Sequence, residues 1–279
     1  MSDMKHDIEH VDQQHIQRSL TTVTLTPEQF ESLYLQPRDA RMTGTLASRV
    51  GNPTPLGVSS FLFAHVPLAM DLLNFQGATS ASSVAMLGAF YGCAGIGLYL
   101  ACIMEWLIGN TFPCVVFGTF GGFWISYGIA VQPTFDLAAS FAPAADASNG
   151  ITAQIAGAST VQYNAGLGLY FMFWGIMCVI YFLAALRTNV PFAIVFLALV
   201  FAFEFIGAAY FHTAQGKLSL AAHEFRIGGG FAFVTGLSGI YIDISLLFAA
   251  VGFPIQVPVF DLSTWFLLPR KRKEGDHMA

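Results

Sequence analysis

Residues 190–211 read VPFAIVFLALVFAFEFIGAAYF, a run of 22 in which Glu204 is the single charged side chain. At 1.5 Å per residue a helix of that length reaches about 33 Å, enough to cross a hydrocarbon core about 30 Å thick. A helix apolar on every face must be surrounded by apolar matter on all sides. The segment is therefore a membrane span, and the rest of the chain is read around it.

Five more stretches have this character, at Pro55–Leu73, Ser83–Leu107, Thr111–Val131, Ala165–Leu186 and Ile227–Gly252, which with Val190–Phe211 makes six. Charge agrees with this division. Of the 279 residues 29 are Asp, Glu, Lys or Arg; 12 lie in residues 1–50 and 7 in 253–279, leaving 10 for the 202 between. A water-facing surface cannot be built from that middle section, since a soluble domain carries about 25% charged residues. An ordinary soluble enzyme, a disulfide scaffold and a nucleic-acid binder are excluded. The expected fold is an all-α membrane protein with six transmembrane helices in a compact bundle (residues 51–252). It is flanked by a polar, mostly disordered tail (1–50) and by an interfacial segment with a basic tail (253–279).

Residues 1–50 hold no apolar core segment, so the first span is expected to act as its own insertion signal. Val257–Leu268 is too short to span, carries Asp261 and has Pro254, Pro258 and Pro269 around it; an interfacial or re-entrant piece is expected, with Trp265 in a headgroup belt. Six spans put both termini on one side. That side holds Arg38, Arg41, Arg49, Arg187 and Arg270–Lys273, and the other only Lys217 and Arg226, so the positive-inside rule predicts cytoplasmic termini. The loop at 132–164 then faces outward. Cys93, Cys102, Cys114 and Cys178 all lie in apolar runs without a CxxC pair or a Cys/His cluster, so neither disulfides nor a metal ion are expected.

Within the spans, Gly88/Gly92 and Gly118/Gly122 are small-xxx-small pairs that allow close helix contact, within the bundle or between copies. Four acids fall in or at the spans. Glu204 and Asp243 are the deepest and are candidate proton-linked groups, whereas Asp71 and Glu105 lie near span ends and are expected to be interfacial. His65 and His212 are read as polar helix contacts. The segment Gly51-Asn52-Pro53-Thr54-Pro55-Leu56-Gly57 opens the first span: Asn52 can cap free N–H groups, and Pro55 suits a first turn that needs none.

Asn52-Pro53-Thr54-Pro55-Leu56-Gly57 resembles the NPAPLG signature of the acetate uptake transporter family, also called the GPR1/FUN34/YaaH family, with Thr54 in place of the usual alanine. Phe90-Tyr91-Gly92 followed by Glu105 and Gly109-Asn110-Thr111-Phe112, and then Gly121-Gly122-Phe123-Trp124-Ile125-Ser126, resemble two further family motifs in the same order. The long N-terminal tail is similar to that of fungal members. The resemblance implies a hexamer with one pore per protomer. It also implies a hydrophobic constriction, on Phe61 and Phe120 and, by a looser alignment, on Leu197. Family members often carry tyrosine at the position of Phe120, and His65, Pro67 and Asp71 depart from the usual first span.

The function expected from these features is a plasma-membrane, multi-pass transporter or channel for acetate and other short monocarboxylates, moving with a proton and needing no cofactor. The lipid bilayer, the small acid and further copies of the chain are the expected partners. Two alternatives stand beside it: export of ammonia or ammonium, and a non-conducting membrane sensor of the same fold. No nucleophile–base pair or metal motif in the spans suggests an enzyme.

Overall fold

The structure is a computed structural model describing residues 50–144 and 150–262. The N-terminal tail, Trp265 and the basic run Arg270–Lys273, for which the sequence raised expectations, lie outside the described residues. Helices α1 (Thr54–Leu72), α2 (Ala89–Leu107), α3 (Thr111–Val131), α4 (Gly150–Ala158), α5 (Val161–Ala185), α6 (Val190–Ala214) and α7 (Leu218–Ala250) follow in order. All but α4 are long and apolar enough to cross a membrane, so the expected six-span, all-α architecture is what the described residues form.

The helices start where local chemistry lets them. Asn189 accepts the Phe192 N–H at 2.9 Å at the head of α6, with Pro191 in the first turn where no donor is needed. Thr160 caps α5 through the Tyr163 N–H. At α1, Asn52 Oδ1 accepts the Thr54 N–H at 3.0 Å, as the sequence suggested. Pro67 sits inside α1, where it leaves a carbonyl one turn earlier without its usual donor. Helix α2 opens as a π-helix over Ala89–Ile96, preceded by a 3-10 turn at Ser80–Met86.

Helix α6 packs extensively along α5 and α7; α7 packs on α1, and α2 on α3 and α1. The helices α3 and α6 meet chiefly through aromatic rings, such as Phe123 on Phe203 and Phe120 on Phe196. The core lies in that aromatic seam. The glycine pairs divide. Gly118 and Gly122 lie against Cys102 and Tyr99 of α2, tight packing within the bundle, whereas Gly88 and Gly92 have open space where a side chain would stand.

Several boundaries differ from expectation. Helix α7 begins nine residues before Ile227, because Leu218–Arg226 continues the helix with polar His223, Glu224 and Arg226 and so escapes a hydropathy criterion. His212 Nδ1 and Glu224 Oε2 close at 2.7 Å across the α6–α7 turn. Within the loop at 132–164, α4 packs on the 3-10 turn Leu137–Phe141. Of the segment expected to be interfacial or re-entrant, the described part forms, with the residues before it, a non-helical strap over 254–262, in keeping with Pro254 and Pro258. Val190 N–H bonds to Phe260 O at 3.0 Å and Leu262 N–H to Thr188 O at 2.9 Å. Tyr241 O–H bonds to Pro258 O at 2.6 Å, and Ser245 to Val257 O at 3.0 Å, which ties the strap to α7 as well.

Candidate functional site: an aromatic constriction between two cavities

The apolar stripe of α6 recurs at helical spacing through Phe192, Val195, Phe196, Leu199, Ala202, Phe203, Ile206 and Tyr210. Each of these residues lines one of two cavities in the bundle, and Leu199 lines both. The upper cavity, toward the end of the bundle that carries Asp71, is about 250 Å³ and includes His65, Trp124, Tyr127, Asn164, Tyr210 and Thr213 in its wall. The lower one, toward the end that carries Asn52, is about 40 Å³ and wholly apolar, with Phe61 and Phe120 in its wall.

Between them stands a layer of rings. Phe61 and Phe120 meet edge to face at 5.7 Å, and Phe120 is held from the other side by Trp174, Tyr181 and Phe196. Phe61 stacks on His65 at 4.4 Å, and Trp124 stands across both rings at 6.3 Å. His65 is 6% exposed and its Nε2 lies 2.8 Å from the Ala232 carbonyl of α7. That fits the expected polar helix contact, but the same ring also lines the upper cavity.

The structure brings Phe61 and Phe120 together and leaves Leu197 out. Leu197 is 41% exposed on the outer face of α6 and touches neither cavity. Two residues along a helix turn the side chain by about 200°, so Leu199 occupies the inward position and Leu197 the outward one. Periodicity alone could have made that choice. Trp124 belongs to a motif already singled out, but nothing local marks it as a cavity wall.

The opening signature and the α2–α3 motif meet at the Asn52 end. Glu105, expected at an interface, is fully buried. Its Oε1 accepts the Thr54 hydroxyl at 2.6 Å and its Oε2 the Asn110 amide at 2.5 Å, both donors also fully buried, which makes burial of the carboxyl tolerable. Thr54, the departure from the signature alanine, is one of those donors. Pro53 is buried, Pro55 half-buried and Leu56 exposed, while Thr111, at the start of α3, is exposed. Gly57 faces the ring of Phe117, a wall of the lower cavity, so closely that a Cβ would collide with it. The signature thus supports the wall beside the constriction.

The deep acids stand apart from these two cavities. Both Asp243 carboxylate oxygens accept the Ser59 hydroxyl at 2.9–3.0 Å. Glu204 lies over Gly175 of α5. Neither lines a cavity described above. Asp71, expected to be interfacial, is 7% exposed with Oδ2 unpartnered, and lines a separate cavity of about 200 Å³ with Asn74, Thr79 and Arg226.

Comparison with known proteins agrees with this architecture. The chain is 37% identical over 246 residues to Protein alcS of Aspergillus fumigatus, covering 88% of each chain. It is 28% identical over 200 residues to the acetate transporter protein patA of Aspergillus clavatus, covering 71% of this chain and 73% of that one. The solved structure of the bacterial acetate channel SatP superposes with a TM-score of 0.55 at 21% identity, over 75% of this chain and 99% of the other, which speaks to the fold. The family model described as GPR1/FUN34/yaaH matches residues 35–264, and this six-span chain belongs to that family.

Proposed function

We propose that the chain is a plasma-membrane transporter or channel for acetate and other short monocarboxylates, with cytoplasmic termini and movement of a proton with the acid. The observation that carries this reading is the Phe61–Phe120–Leu199 layer between a mixed polar–apolar cavity and a wholly apolar one. Such a layer gates by excluding water. Neither cavity has an Asp, Glu, Lys or Arg in its wall. A cargo on this path must shed its charge or carry its own compensation, and a short carboxylic acid, with a pKa around 4–5, can do so by protonation. The relatives named as an acetate transporter and an acetate channel support the same cargo. The open face at Gly88 and Gly92 supports close approach of another copy, in line with the hexamer implied by the resemblance.

The test is labelled-acetate uptake in cells lacking their own carriers, between about pH 4 and 7, a range that spans the acid's titration. Wild type should take up acetate faster as pH falls. Leu199→Ala and Phe61→Ala should change the rate or the size of acid accepted, while Leu197→Ala should behave as wild type. No uptake above background, from protein shown to reach the membrane, would reject the reading.

A further inference from the structure

The cavity at the Asp71 end holds the charges that the two central cavities lack. Asp71 and Arg226 both stand in its wall, yet among the described residues they form no ion pair with each other. Helix α7 lines it with Ala222, Phe225 and Arg226, which lie on one face of the helix. Arg226 is held in a set direction: its Nε donates to Asn74 Oδ1 at 3.0 Å, and the Asn74 amide donates in turn to the Ala78 carbonyl at 3.0 Å. Asn74 adopts a left-handed backbone there, φ 60°, a conformation Asn accepts more readily than most residues. Both Nη groups of Arg226 are left without a hydrogen-bond partner among the described residues, a two-pronged donor of the shape a carboxylate fits. Asp71 is unmet as well. Its Oδ2 is buried without a donor; Oδ1 has none among the described residues either but is not enclosed, which makes it the oxygen that opens on the cavity. Leu72 and Phe225 line this cavity and the upper one alike, so the charged chamber and the mixed one share a wall.

We propose that this cavity takes up the short acid as an anion together with one proton, the carboxylate lying on the Arg226 guanidinium and sharing the proton with Asp71. The cargo class rests on the transport reading above; the proton rests on the charges of the wall. In the empty cavity Arg226 and an ionised Asp71 balance. A carboxylate entering alone would set two like charges side by side in about 200 Å³, and two carboxyl groups that close hold one proton between them. With that proton the site is neutral again. The step balances: a solvent proton forms the Asp71 O–H as the anion arrives, and that bond breaks as the proton passes to the cargo. The neutral acid then moves on toward cavities without charged walls, and Asp71 is left ionised opposite Arg226. Of the groups around Asp71, Arg226 comes from α7, Asn74 and Thr79 from the segment between α1 and α2, and the Tyr127 phenol of α3 is within electrostatic reach. His223 and Glu224, next to Arg226 in sequence, line no part of this cavity, and Glu224 is paired with His212. With cytoplasmic termini this end faces outward, where an incoming acid arrives.

Saturation-transfer NMR on the purified full chain in lipid nanodiscs tests it, by titrating acetate between about pH 5.5 and 7.5, where the free acid is already ionised. For wild type the acetate Kd should rise about tenfold per pH unit, the mark of one proton bound with each anion. Asp71→Asn keeps the shape of the side chain and removes its titration, so acetate should still bind, with a Kd that no longer follows pH. Arg226→Gln should weaken binding by about tenfold or more at every pH, and Arg226→Lys, which keeps the charge without the fork, should recover part of it. Should Arg226→Gln fail to fold, the pH profile of Asp71→Asn decides alone. The proposal is overturned if the wild-type Kd is flat across this range, if Asp71→Asn keeps the wild-type slope, if Arg226→Gln binds as wild type does, or if methylammonium binds where acetate does not. Parallel acetate uptake separates the two readings. Uptake without this pH-linked binding removes the site and leaves the transporter, and the binding without uptake does the reverse.

Discussion

At the scale of single residues, Glu105 shows how a family position adapts to a changed neighbour. Its two oxygens are met by Thr54 and Asn110, and with an alanine at 54 the first of these bonds could not exist. Thr54→Val keeps the shape and removes the hydroxyl. Leaving a buried carboxyl oxygen without its donor costs about 1–3 kcal/mol, so the variant should unfold at lower temperature in detergent, while Thr111→Val at an exposed position should not. The motif residues were legible as a group from their order and spacing. Their contact was not, because Thr54 and Glu105 are 51 positions apart and belong to different helices. Leu199 was legible in principle, since the inward stripe of α6 selects it over Leu197. His65 was visible only as an unusual polar residue; its Nε2 contact with the Ala232 carbonyl, on the last span, appears only once the helices are packed.

At the scale of elements, hydropathy found all six spans but not where the helices stop. Hydropathy reports contact with lipid, whereas helix formation answers to backbone bonding and caps, so α7 runs on past its apolar part. The strap at 254–262 was hidden for a related reason: its order comes from backbone bonds to Val190 and Thr188 and from the Tyr241 and Ser245 hydroxyls, partners a local reading does not see. Replacing both anchors, Tyr241→Phe with Ser245→Ala, should loosen it. Hydrogen exchange at the Val190 and Leu262 amides should then speed up by about tenfold or more, with the amides in the middle of α6 unchanged. Asn189→Ala acts at the same end by removing the α6 cap. It should cost about 1 kcal/mol, read as a lower unfolding temperature.

At the scale of the molecule, the rings at the centre are positioned by opposite ends of the chain: α1 brings Phe61 and His65, α3 brings Phe120 and Trp124, α6 brings Leu199, and α7 holds His65 in place. Helix α1 has 19 residues and α7 has 33, so their lengths are about 28 Å and about 50 Å. The first barely matches a hydrocarbon core about 30 Å thick, whereas the apolar part of the second, Ile227–Ala250, reaches about 36 Å, an excess that a tilt of up to about 40° absorbs. Hydrophobic mismatch therefore acts unequally on the two. A thicker bilayer pulls on the ends of α1, while α7 can meet it by tilting less, and the joint between them is the His65–Ala232 bond beside the constriction. Uptake by protein in liposomes of short-chain, medium-chain and long-chain lipids should accordingly peak at the medium length and fall on both sides. That outcome would make the lipid composition of the host membrane, acting through the unequal apolar length of two helices, a regulator of the constriction.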